Sequence, residues 1–238
     1  MSRPSARSIA AAIAFAFSTQ AAAADITREQ ASLEVKELAP YRVMAEHYPA
    51  EYEKMLSLLV KEARKGRSVR EVALDNNAVI TELVERQIPK ANMDNALRNL
   101  SFMIVGAKAA MAVKPKYCLA VLGVAKSDRP FAEYLPSALE AENLSMTAEL
   151  LRQTATAPEP PPPPTAGMLK RKLAENAYFS LPSEPLSLAF RETRGEPSRA
   201  ITMIQQEAFC RVSVRLLEQI LSMPPAEAAA TFKSAVFD

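Results

Sequence analysis

Tryptophan is absent from the 238 residues, histidine occurs once, cysteine twice and glycine five times. With His47 alone, no multi-histidine metal site exists. Gly66, Gly106, Gly123, Gly167 and Gly195 lie far apart. That spacing excludes a glycine-rich phosphate loop and a dinucleotide fingerprint, both of which need clustered glycines. Scarce glycine also argues against a turn-rich all-β fold. No Gly-x-Ser-x-Gly elbow is present, so a serine nucleophile has no support. There is no Cys-x-x-Cys pair for dithiol chemistry either.

What is present begins with a targeting pattern. Arg3 and Arg7 precede an apolar run from Ile9 to Phe17, followed by Ser18-Thr19-Gln20 and four alanines. A basic start, a short apolar stretch and small residues before a cut are the marks of a secretory signal peptide. The expected cut follows Ala24, and residues 1–24 are removed. The run is too short to span a bilayer. The alternatives are an organellar transit peptide, because the segment holds Arg and Ser but no acid, and an uncleaved anchor.

Cleavage changes the charge. The full chain carries 29 basic and 27 acidic residues. Losing Arg3 and Arg7 leaves equal numbers of each sign. A neutral chain has no electrostatic footprint for nucleic acid, and none is expected as a partner.

The rest reads as all-α, an irregular bundle of about seven to eight helices. A first helix is expected over Asp25 to Glu46. A second runs from Pro49 to Lys65, with Leu56, Leu59, Val60 and Ala63 on one face and Gly66 as its stop. Ser68-Val69-Arg70-Glu71 has capping-box form and opens a third, to about Ile88, with Asn76 on its apolar stripe. Asn92 or Asp94 caps a fourth, to about Val113, and Pro115 starts a fifth. A sixth covers about Pro130 to Thr154, interrupted near Pro136. Met168 to Phe179 reads as helix, whereas Leu186 to Phe190 is ambiguous. Ser198 is expected to cap the most clearly periodic helix, which Pro224-Pro225 ends. A weaker helix follows over Ala226 to Val236. A gapped likeness between the stretches from Leu56 and from Leu186 is of the kind that chance produces in helical sequence.

Residues 158–165 interrupt this pattern. Pro160 to Pro164 are five consecutive prolines, which exclude helix and central strand. They form a stiff polyproline spacer, read as an external strap between an N-terminal helical part (25–157) and C-terminal helices (166–238) that pack together as one domain. Cys118 and Cys210 lie on helices either side of it. In an oxidising compartment such a pair is expected to form one disulfide, bringing the two helices side by side.

The remaining constellations are weak. Tyr41, Tyr48 and Tyr52 fall within twelve residues, and with Arg42 and His47 they offer a partner groove; packing with tethered hydroxyls is the competing reading. His47, at a helix end, suits the C-terminal dipole. Lys61, Arg64, Lys65, Arg67 and Arg70 suit either a helix C-terminus or an acidic partner surface, and Arg64 and Arg67 join the partner-binding candidates. Asp75-Asn76-Asn77 and Asn92-Met93-Asp94-Asn95 lack the pattern of a calcium loop. Glu133 and Glu207 are the nearest candidates for a catalytic carboxylate, both expected on solvated faces. No catalytic residue, cofactor or metal is expected.

The function expected is that of an exported, periplasmic or secreted, non-enzymatic helical protein. It would bind another protein of the cell envelope, as an accessory, inhibitor or immunity-type factor. Two alternatives stand beside it. One is a carrier of a small apolar ligand in a helical cavity, lined by Met103, Met111, Met146, Met168 and Met203. The other is a cofactor-independent enzyme using Arg and Glu side chains.

Overall fold

In the computed structural model of the chain, residues 26–74, 78–125, 133–162, 183–193 and 196–235 are described, with a few isolated positions between 173 and 181. The signal segment, Asp75-Asn76-Asn77 and most of Met168 to Phe179 lie outside the described residues. Among the described residues the secondary structure is helical, with no strand.

The N-terminal half follows its local signals, with one correction. The single helix expected over Asp25 to Glu46 is two helices, α1 (Arg28–Val35) and α2 (Ala39–His47). Pro40 is the cause, because proline has no N–H for the preceding turn and its ring clashes with the carbonyl there. It stands in the first turn of α2, where that donor is not missed. Thr27 and Gln30 form a reciprocal capping box at the start of α1. α3 (Pro49–Ala63) ends just before Gly66, whose φ of 89° is a left-handed conformation open to glycine. The Glu71 N–H donates to Ser68 Oγ at 3.1 Å and the Ser68 N–H to Glu71 Oε2 at 2.9 Å, opening α4 (Val69–Leu74). α5 (Ala78–Gln87) runs into a short 3-10 turn, Ile88–Lys90.

α6 (Met93–Val113) starts on the Asn92 side chain, which accepts the Asn95 N–H at 2.9 Å. It is long and apolar enough to cross a membrane by length and composition. In this fold the helices Pro115–Val121, Ser137–Thr156, Met203–Leu221 and Pro225–Ala235 pack against it. Pro115 opens α7 (Pro115–Val121), and α8 (Ser137–Thr156) begins immediately after Pro136. The ambiguous Leu186 segment is helical, within α9 (Glu184–Thr193). α10 (Met203–Leu221) is not capped by Ser198, which sits in the 3-10 turn Pro197–Arg199. Thr202 caps it instead, in a capping box with Gln205. Pro225 opens α11 (Pro225–Ala235).

Two buried clusters share α8. Leu150 joins a core built from α6, α7, α10 and α11, with Leu100, Ile104, Phe209, Leu217, Ile220 and Phe232. Leu151 and Ala148, on the adjoining face, join a core built from α1 to α5, with Tyr41, Met44, Met55, Leu59 and Leu83. Consecutive positions on one helix thus feed opposite cores, and this stitches the N-terminal helices to the rest.

Cys118 on α7 and Cys210 on α10 stand at disulfide distance, with Cα atoms 6.1 Å apart. That separation lies within the range of roughly 4.4–6.8 Å that a disulfide spans. The described part of the proline run is exposed up to Pro161. Its start is tied down: the Glu159 N–H donates to the Lys90 carbonyl at 2.9 Å, and the Glu159 carboxylate lies 3.3 Å from Lys233 Nζ. Lys233 also donates to the neighbouring Ala91 carbonyl at 2.7 Å. The turn before α6 therefore holds both Glu159, at the start of the proline run, and the last helix.

Candidate functional site

An apolar cleft of about 270 Å³ opens where α5, α6, α7 and α8 meet. It lies at the small end of ligand pockets, which run from roughly 300 to 1,000 Å³. Ile80 and Val84 come from α5, Phe102 and Met103 from α6, Ala120 and Val121 from α7, and Leu144 and Met146 from α8. Periodicity explains the arrangement. Ile80 and Val84, Asn99 and Met103, and Glu140 and Leu144 are spaced four apart, so each helix turns one stripe to the cleft. Gly123, with φ of 73°, lets the chain turn off α7 beside it.

Its polar groups are few: Thr81, Glu85, Asn99, Glu140, Asn143 and Thr147. No Lys, Arg or His lines it among the described residues. Asn99 is 5% exposed. Its Nδ2 donates to the Asn95 carbonyl at 2.8 Å, one turn earlier. A carbonyl only accepts, so this bond fixes the amide with its nitrogen toward Asn95. Asn99 lines the cleft, and no hydrogen bond to its Oδ1 is made among the described residues.

The residues expected to bind a partner are dispersed. Tyr41 is buried, edges the cleft, and donates its hydroxyl to the Ala73 carbonyl. Burial pushes its phenol well above the ordinary tyrosine range. Tyr48 donates to the Leu151 carbonyl at 2.9 Å and lies 3.1 Å from Thr154 Oγ1, joining α8. Tyr52 pairs with Ser32 Oγ at 2.8 Å on α1, with Lys36 over its ring. The three hydroxyls thus reach three different elements as tethers. Tyr41→Phe is expected to cost about 1–3 kcal/mol, since the Ala73 carbonyl loses its donor. Urea unfolding reads this directly, and an unchanged midpoint would show that the bond contributes nothing.

Arg42 is exposed on α2, and His47 closes that helix, 3.7 Å from Glu46. Arg64 and Arg67 are exposed just past α3, and Arg64 borders a more open depression with Arg28 and Lys61. In the basic stretch Lys65 pairs with Glu62 at 2.7 Å. Arg64 and Arg67 are therefore separate from the tyrosines' tethers.

Of the methionines, Met103 and Met146 line the cleft. Met111 packs against the α6 core, Met203 is exposed, and Met168 lies outside the described residues. Of the carboxylates, Glu133 is exposed and Glu207 pairs with Arg211 at 2.7 Å. Glu218, hydrogen-bonded by Lys108 and beside Arg215, is held below the usual carboxylate range. Lys65 does the same for Glu62. Neither lines the cleft. Among the described residues no group of three or more His, Cys, Asp or Glu is placed to hold a metal.

Asn99 is the site residue that sequence reasoning passed over. Its signal was there. It interrupts the apolar stripe of α6, the same anomaly that drew attention to Asn76.

No protein-family model, curated protein or solved structure matches the chain.

Proposed function

We propose that this is an exported, non-enzymatic binding protein whose ligand is a small apolar molecule held in the cleft between α5 and α8. The observation that carries the reading is the cleft itself: a preformed apolar recess with a few polar groups, the usual anatomy of a small-molecule site. Met103 and Met146 suit the role, because an unbranched thioether adapts to ligand shape. The two cores supply rigidity, since α5 and α8 each contribute side chains to both a core and the cleft wall. Export agrees with the basic-then-apolar leader and with the paired cysteines.

The test is native mass spectrometry of the protein isolated gently from its own host. A small-molecule adduct that organic extraction removes is the expected result. Thr147→Trp, which fills the cleft from its half-buried wall, should come off bare. A bare unaltered chain, accompanied by a second polypeptide at fixed stoichiometry, would overturn this reading in favour of a protein partner.

One observation favours that second reading. Ile201 and Met203, at the entry to α10, are 80% and 71% exposed, and Ile204 and Leu188 are also exposed. Exposed apolar groups gathered in one stretch of chain are features of partner surfaces.

A further inference from the structure

Given the cleft as a ligand site, on which this step rests, its polar groups define what the ligand carries. We infer that the ligand is an apolar molecule bearing a protonated amine, and that the cleft discriminates against fatty-acid-type anions.

Three observations point the same way. First, the charged residues lining the cleft are Glu85 on α5 and Glu140 on α8, both carboxylates and both half-buried. Among the described residues no ion pair engages either, and no Lys, Arg or His lines the wall. Second, Asn99 Oδ1 is an acceptor on a side chain nine-tenths buried, and its nitrogen is turned away to Asn95. Third, the Tyr41 hydroxyl at the edge of the cleft donates to the Ala73 carbonyl and is not a free donor for a ligand. Asn143 and Thr147 can donate or accept, so they adapt to whatever enters.

The sum is a wall with two carboxylates and, among the described residues, no cation, in which Asn143 and Thr147 can serve as donor or acceptor. A carboxylate entering it would lose hydration, meet no cation and face two like charges. A neutral alcohol would keep the apolar contacts and satisfy an acceptor. An alkylammonium would do both and also be attracted by Glu85 and Glu140. Asn99 matters because its oxygen can only accept, so a ligand N–H or O–H can replace water there and a carboxylate cannot.

The experiment compares three ligands of the same apolar chain, octylamine, octanol and octanoate, by isothermal titration calorimetry of the unaltered protein at neutral pH. Octylamine should bind tightest and octanoate weakest, with a gap between them of roughly tenfold or more. In Glu85→Gln combined with Glu140→Gln, amine affinity should fall to that of the alcohol. Glu142→Gln, an exposed neighbour on α8 outside the cleft, should keep the full preference. Asn99→Leu should remove the advantage of octylamine over octyltrimethylammonium, which has the charge but no N–H.

Equal binding of the three ligands, or tighter binding of octanoate, would overturn the amine assignment and leave the apolar cleft standing. Binding of none would overturn the cleft reading and this inference together. Should a variant fail to fold, the ligand comparison on the unaltered protein still decides.

Discussion

Replacing both cysteines, Cys118→Ala with Cys210→Ala, is expected to lower stability by about 4–5 kcal/mol, the size the chain-entropy model gives for so long a loop. The cysteines stand 92 residues apart in sequence. Free, that length of chain adds its full conformational freedom to the unfolded state; cross-linked, it cannot. Typical domains have only about 5–15 kcal/mol in total, so the variant should approach the unfolding threshold. The loss should divide into two parts. Both side chains are buried in the core of α6, α7 and α10, so alanine also removes packing. Reduction of the unaltered protein isolates the cross-link from that packing. The comparison that makes the result specific is deletion of Pro160 and Pro161, which are exposed and take no part in the bonds that hold Glu159. That deletion should cost little. Guanidinium unfolding of the three proteins measures both. Equal and small losses would show that the strap and the cysteines do not constrain the fold as described. Two thiols open to alkylation after denaturation of the untreated protein would show that the bond is not formed.

Phe232→Ala should be the most damaging single change in the C-terminal region, at about 3–5 kcal/mol. Phe232 is fully buried, on α11, in the core it shares with Leu100, Ile220 and Leu150. An empty space the size of a phenyl ring there has two costs: the lost transfer energy, and a cavity that the helices around it cannot fully close. α11 reaches the turn before α6 through Lys233 as well, so loosening it loosens the strap's anchor. Thermal unfolding checks the magnitude. A shift no larger than that of an exposed substitution such as Glu227→Ala would mean that α11 is an appendage and not part of the core.

That second expectation was not legible in the sequence, and the reason is instructive. Ala226 to Val236 has short side chains and weak periodicity, so it reads as a marginal helix. Its importance comes from one large residue, Phe232, and from Lys233 reaching a carbonyl 142 positions earlier. Local pattern does not report long-range partners. The broken first helix is a different case. Pro40 was visible, but the surrounding apolar spacing suggested continuity, and the proline's missing donor decided the outcome. The cap of α10 was misplaced for a similar reason. Ser198 and Thr202 are both good capping residues, and the deciding partner was Gln205, three residues after Thr202.

Other features were read correctly from local chemistry. The Ser68–Glu71 box, the Asn92 cap, the Gly66 stop and the Pro115 start all depend on neighbours within a few residues. The cysteine pairing was legible because only two cysteines exist and both fall on apolar helix faces. The site is the least legible part. Its walls come from six helices and from positions 40 to 147, so no window of sequence contains it. The methionines illustrate this. Five were eligible as cavity residues, and only the packing of α6 against α8 selects Met103 and Met146.

The central claim is that the cleft between α5 and α8 is where this protein binds, and that the exposed face at the start of α10 is not. Methyl NMR separates the two, because each carries its own methionines and isoleucines. Octylamine added to methyl-labelled protein should shift Met103, Met146, Ile80 and Leu144, and leave Ile201, Met203 and Leu188 in place. Shifts confined to Ile201, Met203 and Leu188, or no shift anywhere, would contradict the account.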